Sequence, residues 1–318
     1  MHGVDLREVL AGARRANVWL VLASAGVATL TFPVRTLRWR VLLRDVDGRQ
    51  YPLRPLWNAT AIGFMANNLL PARAGEFARA WVASRSLPTR FSTALASIGV
   101  ERVFDGLMML ALMAVAIAVP SFPSHATVGG TSLSRIAAYG AGVFGALLLL
   151  ALVIVHRPAP WLRILDRVAA ALLPKRLSVR LRSAAEGLLA GLAVLKSPAR
   201  FASVVGWSLV LWLVNAAAFA LCFRAFGLRV PPEGALLLQG LIGFGVAIPA
   251  APGFWGVFEG ATRLTLQFYS VAASAALAYA FVFHIAGFIP ITLLGLDALS
   301  RARLHLADLR GAAREPTP

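Results

Sequence analysis

The chain has 318 residues, 58% hydrophobic and 14% charged, with a mean hydropathy of +0.72; it is too apolar for a soluble globular domain and predicts a multi-pass membrane protein. Lys and Arg total 31 against 14 acids, a net charge of +17, but the basic residues cluster between apolar runs, which favours membrane-flanking segments and anionic lipid over nucleic acid. The single Cys222 excludes an intramolecular disulfide, and the five histidines lack metal-ligand spacing, so neither a metal nor another cofactor is expected.

The first apolar run, residues 18–34, follows Arg14 and Arg15 and continues into RTLRWRVLLR without a small-residue cleavage site. It reads as a retained spanning helix. The next segment, 35–55, carries Arg35, Arg38, Arg40, Arg44, Arg49 and Arg54 and is placed in the cytoplasm by the positive-inside rule. Residues 56–70 are apolar but too short: about 15 helical residues reach roughly 22 Å, against a hydrocarbon core of about 30 Å. The run stops at Pro71 and restarts after Gly75, as a re-entrant hairpin with a broken tip would.

Residues 91–119 run outward, and the loop that follows has neither Lys nor Arg before Arg135. Residues 136–155 return to a strongly basic segment, 157–200, in which Trp161, Ile164, Leu165, Val168 and Leu172 recur at helical spacing. That segment is expected to lie as amphipathic helix on the cytoplasmic leaflet. Residues 201–223 cross again, 235–248 halt at PAAPGFWG and restart over 257–268, and 271–296 come back to a basic tail, 301–318.

The expected fold class is therefore all-α: one polytopic membrane domain over 1–318, built from two inverted-topology repeats, 18–119 and 201–296. Each repeat carries a re-entrant helical hairpin, with the span 136–155 and the amphipathic segment between them. The tips PARAGEFAR and PAAPGFWGVFEGATR share the order Pro-Ala, Gly, Glu, Arg. Inverted repeats with broken helices are a common build of secondary transporters.

Acids inside apolar segments are expensive and normally face a partner or a wet cavity. Glu76, Glu101, Asp105 and Glu259 are so placed. In the first hairpin, Pro71 and Gly75 break the helix, Asn67 and Asn68 supply amides at the tip, and Arg73 and Arg79 offer donors suited to phosphate. Glu76 lies three residues before Arg79 and is expected to pair with it when no ligand is present. Glu101 and Asp105 share a helical face and need a cation, expected from the first hairpin because Arg102 falls on a different face. In the second hairpin, Pro249, Pro252, Gly253 and Gly256 break the helix ahead of Glu259 and Arg263.

NNLLPARAGEFARA, ERVFD and PGFWGVFE, with RTLRWRVLL before them, resemble the lysylphosphatidylglycerol synthase transmembrane, or flippase-like, family over almost the whole chain. The resemblance implies movement of a lipid with a modified polar head across a bacterial cytoplasmic membrane: an aminoacyl phospholipid in some members, a polyprenyl-phosphate-linked sugar in others. It carries over to Asn68, Pro71, Arg73, Gly75, Glu76 and Arg79, to Glu101, Arg102 and Asp105, and to Pro252, Gly253, Gly256 and Glu259. Phe254 departs from the family's second glycine. Many members begin with a further span, and the soluble aminoacyl-transferase domain of the bifunctional members is not present in this sequence, so lysyl transfer is not expected. The function expected is a lipid translocase rather than an enzyme, with an anionic lipid as partner and a lipid-modifying enzyme as a further one. The rivals are a membrane enzyme using Glu76, Glu101 and Asp105 as acid or base, and a scaffold for lipid-modifying enzymes.

Overall fold

The computed structural model describes residues 5–44, 47–70, 74–120, 122, 127–128, 130–247, 251–306 and 308–309. Among them are twelve α-helices and one two-residue antiparallel ribbon, Thr127–Val128 with Thr131–Ser132. The helices are α1 (Leu6–Arg15), α2 (Val18–Leu42), α3 (Leu53–Leu69), α4 (Ala74–Ser86), α5 (Phe91–Ala118), α6 (Leu133–His156), α7 (Pro158–Leu172), α8 (Lys175–Leu192), α9 (Pro198–Ala225), α10 (Pro232–Ala247), α11 (Val257–Phe268) and α12 (Ala273–Arg301). Of these, α2, α6, α9 and α12 are long and apolar enough to cross a membrane.

Local chemistry fixes several boundaries. Asp5 caps α1 by accepting from the Arg7 N–H, and Asn17 caps α2 by accepting from Trp19 and Leu20. Helix α2 does not stop at residue 34 as the sequence reading expects. It runs on to Leu42, so Arg35, Arg38 and Arg40 are helical and Arg35 and Arg38 are buried. The short amphipathic α1, which hydropathy alone does not reveal, packs on α12. The amphipathic segment is two helices, because Pro174 cannot continue α7. Arg182 of α8 bonds Asp166 of α7 and Glu186 of its own helix, while α8 packs along α5. Trp161, Ile164, Val168 and Leu172 leave an exposed apolar stripe on α7.

The packing of the long helices follows one scheme. α2 lies along α9, bound by the Ser24 hydroxyl donating to the Ala218 carbonyl at 2.7 Å. α3 packs on α4, and α10 on α11; α4 packs on α5, and α11 on α12. α3 also packs on α12, and α10 on α5. Exchanging α2–α5 for α9–α12 leaves that list of neighbours unchanged.

The first hairpin is held tight by glycines. A Cβ on Gly75 of α4 would lie 1.9 Å from the Gly63 carbonyl oxygen of α3 and 2.6 Å from Asn67 Oδ1. Only a residue without a side chain lets the two backbones approach so closely. In the second hairpin Gly253 (φ 66°) and Gly256 (φ 85°) take left-handed conformations between α10 and α11. Phe254 is left-handed as well (φ 62°), a conformation that costs an L residue roughly 1–2 kcal/mol and explains why glycine suits that position.

Candidate functional site

Two carboxylates on α5 organise the centre. Glu101 and Asp105 are four residues apart on one face and both buried. Unpaired, they would repel; four guanidiniums prevent it. Glu101 is gripped in bidentate fashion by Arg79 of α4, Nη1 to Oε1 and Nη2 to Oε2, each 3.1 Å. Its Oε1 also meets Arg38 Nη2 at 3.1 Å and accepts from Arg102 Nη2 at 2.7 Å. Asp105 Oδ1 accepts from Arg38 Nη1 at 2.6 Å and from the Trp212 indole at 3.0 Å, while its Oδ2 lies 3.3 Å from Arg102 Nη1 and 3.6 Å from Arg35 Nη1. Arg38, fully enclosed, donates further to Ser208 of α9 at 3.0 Å.

The first hairpin supplies a partner as expected, in Arg79. The larger part comes from α2, whose Arg35 and Arg38 the sequence reading treats as cytoplasmic loop charges. Arg102 is also corrected: although adjacent to Glu101 in sequence, its long side chain folds back onto both acids. Glu76 faces Arg102, Oε1 3.7 Å from Nε, whereas Arg79 is committed to Glu101. Aromatic faces hold the remaining guanidiniums in place: Arg79 lies 3.9 Å from the Trp39 ring centroid, and Arg35 sits between Phe64 at 5.1 Å and Trp212 at 5.3 Å.

Beside this network is a cavity of about 300 Å³. Its wall is contributed by α2 (Arg35), α3 (Asn67, Asn68), α4 (Glu76, Arg79), α5 (Arg102, Asp105), α9 (Trp212, Asn215), α10 (Gln239) and the turn after α10 (Phe254). Arg35 Nη1 is buried there with no hydrogen-bond acceptor. Counting the charged network among the described residues, Arg35, Arg38, Arg79 and Arg102 face Glu76, Glu101 and Asp105, an excess of one positive charge. At the tip, Asn67 Oδ1 accepts from the Gly75 N–H at 2.9 Å, and Asn68 Nδ2 donates to Thr292 of α12 at 2.9 Å, tying the hairpin to the opposite half. The structure thus brings together Asn67, Asn68, Gly75, Glu76, Arg79, Glu101, Arg102 and Asp105. Pro71, Arg73 and Pro249 lie outside the described residues.

Glu259 and Arg263 do not join them. Glu259 Oε2 accepts the Gly256 N–H at 2.7 Å, closing the start of α11, and its Oε1 lies 2.6 Å from His284 Nδ1 of α12. His284 Nε2 lies 2.8 Å from the Gly253 carbonyl, and the Trp255 ring stacks on the imidazole at 4.2 Å. Pro252, Gly253 and Gly256 form the turn that this pair fastens, and Arg263 sits one turn further along α11. Replacing His284 by Ala is expected to raise amide exchange across 251–256 by roughly tenfold, since a lost hydrogen bond at a buried partner costs about 1–3 kcal/mol. Hydrogen-exchange mass spectrometry reads this directly, and unchanged protection would remove His284 from the fastening of the tip.

Comparison with known proteins supplies a family for this membrane architecture. The family described as "Lysylphosphatidylglycerol synthase TM region" matches residues 1–295. A protein named "Glycosyltransferase AglD" of Haloferax volcanii is 30% identical over 308 residues, covering 88% of this chain and 48% of the relative; the chain therefore spans about half that protein's length. A "UPF0104 membrane protein" of Methanothermobacter thermautotrophicus is 26% identical over 321 residues, covering 92% of this chain and 89% of the relative. With the family match running across nearly the whole sequence and a helical membrane architecture beneath it, this chain belongs to the lysylphosphatidylglycerol synthase TM region family.

Proposed function

We propose that the protein translocates an anionic, phosphate-containing lipid between the leaflets of a bacterial cytoplasmic membrane, holding the phosphate in the central cavity. One observation carries the reading: a cavity at the meeting of both halves has, among the described residues, one guanidinium in excess, and Arg35 Nη1 is buried on its wall without a hydrogen-bond acceptor. A buried N–H without an acceptor is costly, and although Arg35 is ion-paired with Asp105 at 3.6 Å, a phosphate oxygen supplies the missing acceptor in the planar geometry that guanidinium favours. Arg35 and Arg102 are the residues assigned to the phosphate; Glu76, half-exposed opposite Arg102, is the group that occupies it when the cavity is empty.

The exchange symmetry of the helix contacts supports two repeats of inverted topology, with α3–α4 and α10–α11 as the re-entrant hairpins. The name of the H. volcanii relative, a glycosyltransferase, favours a second reading, a membrane enzyme acting on a lipid-linked sugar. The enzymatic reading requires an acid or base free to exchange a proton with substrate. Glu101 and Asp105 are each engaged by three guanidiniums instead.

Purified protein in vesicles containing a head-labelled anionic phospholipid tests the choice. Wild-type protein is expected to render inner-leaflet label accessible to an impermeant quencher, and Arg35→Gln to slow that movement at least tenfold while the protein still purifies as a folded species. Label movement no faster than in empty vesicles would sink the transport reading, and a new lipid product seen by mass spectrometry would establish the enzymatic one.

A further inference from the structure

We infer that the head group taken by the cavity is a phosphodiester bearing an uncharged polyol or sugar, and that an aminoacyl head with free ammonium groups is rejected. This rests on the reading of the cavity as a site for a lipid phosphate.

The first argument is charge. A phosphodiester carries one negative charge, which matches the single positive excess of the network among the described residues. A lysyl ester on phosphatidylglycerol adds two ammonium groups, so its entry would turn that excess from one to two. An ammonium would also require a carboxylate of its own. Glu101 and Asp105 are each shared by three arginines, and Glu76 faces Arg102. Diverting Glu101 or Asp105 strips a partner from a buried guanidinium, the arrangement that buried ion pairs tolerate least.

The second argument is the rest of the wall. Asn215 of α9 and Gln239 of α10 project into the cavity from largely apolar stretches of their helices, and Asn215 Nδ2 donates to Gln239 Oε1 at 3.3 Å. That bond leaves Gln239 Nε2, on a residue only 2% exposed, with no hydrogen-bond partner. A primary amide offers two donors and a two-lone-pair acceptor without charge, and so matches a hydroxyl, which both gives and receives. A buried donor without an acceptor normally costs stability, and a hydroxyl beside the phosphate would supply the acceptor. The apolar rings of Phe219 and Phe254 on the same wall suit the C–H face of a sugar or polyol. A volume of about 300 Å³ is at the lower end of ligand pockets and fits one compact head, with the chains outside.

The test uses the full chain, purified in detergent, and native mass spectrometry with three lipids of matched acyl chains: phosphatidylinositol, phosphatidylmethanol and lysyl-phosphatidylglycerol. Phosphatidylinositol is expected to bind at least tenfold more tightly than lysyl-phosphatidylglycerol, a difference of about 1.4 kcal/mol. Phosphatidylmethanol, a phosphodiester without hydroxyls, is expected in between, and Gln239→Leu is expected to bring phosphatidylinositol down to its level. Lysyl-phosphatidylglycerol binding as well as phosphatidylinositol, with phosphatidylmethanol still bound and weakened by Arg35→Gln, would overturn the head-group inference while leaving the phosphate site standing. Failure of phosphatidylmethanol to bind, or its indifference to Arg35→Gln, would overturn both. The wild-type comparison needs no variant to fold.

Discussion

Replacing Glu101 by Gln is expected to destabilise the protein by about 3–5 kcal/mol, the cost of breaking a buried ion pair by removing one partner. The reason lies in how many cations one carboxylate serves. Its Oε1 stands 2.7–3.1 Å from Arg102, Arg38 and Arg79, and its Oε2 completes the bidentate contact with Arg79. An amide keeps the shape but removes the charge, and turns two donors of its own toward guanidinium N–H groups. Three buried cations and the partly exposed Arg102 would then face, among the described residues, Glu76 and Asp105. The check is the unfolding midpoint of purified protein by intrinsic fluorescence, set beside Asp297→Asn, which breaks an exposed pair with Arg301 and is expected to cost under about 1 kcal/mol. Adding Arg79→Gln to Glu101→Gln is expected to recover part of the loss, because the bidentate partners then leave together. Equal midpoints for Glu101→Gln and Asp297→Asn would contradict the role of Glu101 as the shared counter-ion of buried arginines.

The second large effect is expected at Gly75, where even Ala is too big. Its Cβ would fall 1.9 Å from a backbone oxygen of α3 that has no rotamer to escape into. The helices of the first hairpin must separate, and with them the contact in which Asn67 accepts the Gly75 N–H. Overpacking of this kind costs about 1–3 kcal/mol, occasionally more, and here it also displaces Glu76 and Arg79, the residues next along α4. Gly75→Ala is therefore expected to lower the unfolding midpoint and to abolish lipid movement in vesicles. Gly26→Ala on α2 is the matched control: no heavy atom lies within 4 Å of its Cβ, and Ala in a helix interior is favoured by roughly 0.5–1 kcal/mol. If the two variants behave alike, α3 and α4 do not meet as described.

Much of the helical architecture is legible in the sequence because long apolar runs admit few alternatives. The run at 257–268 corresponds to α11 residue for residue, and 91–119 to α5 within one. What escapes has a common cause: charge inside a helix looks like loop until its partners are known. Arg35 and Arg38 are three apart, on one face of a continuing α2, but the acids that justify their burial lie on α5. The carboxylates of the site were found through scarcity, since an acid in an apolar run needs an explanation. The same logic applied to amides would have flagged Asn215 and Gln239. Glu259, as an acid in an apolar segment, calls for a partner, and His284, 25 residues away in sequence, is the residue that meets that carboxylate. Removing Arg35 and Arg38 from the loop tally also leaves Arg40, Arg44, Arg49 and Arg54 against Arg7, Arg14 and Arg15. The orientation then rests chiefly on the basic α7–α8 segment.

The contact between His284 and the second tip has a further consequence. A neutral imidazole owns one N–H, yet this ring faces an acceptor at each nitrogen, the Glu259 carboxylate and the Gly253 carbonyl. Both contacts are hydrogen bonds only when ring and carboxyl together hold one proton more than a neutral imidazole and a carboxylate, carried as imidazolium or as carboxylic acid. Nitrogen-15 shifts of the ring distinguish the two forms; a ring with only one protonated nitrogen beside an ionised Glu259 would show that neither holds. The hairpins, similar in build, are thus closed by different materials: the first by an amide oxygen seated on a backbone N–H, the second by an imidazole strung between a carboxylate and a carbonyl.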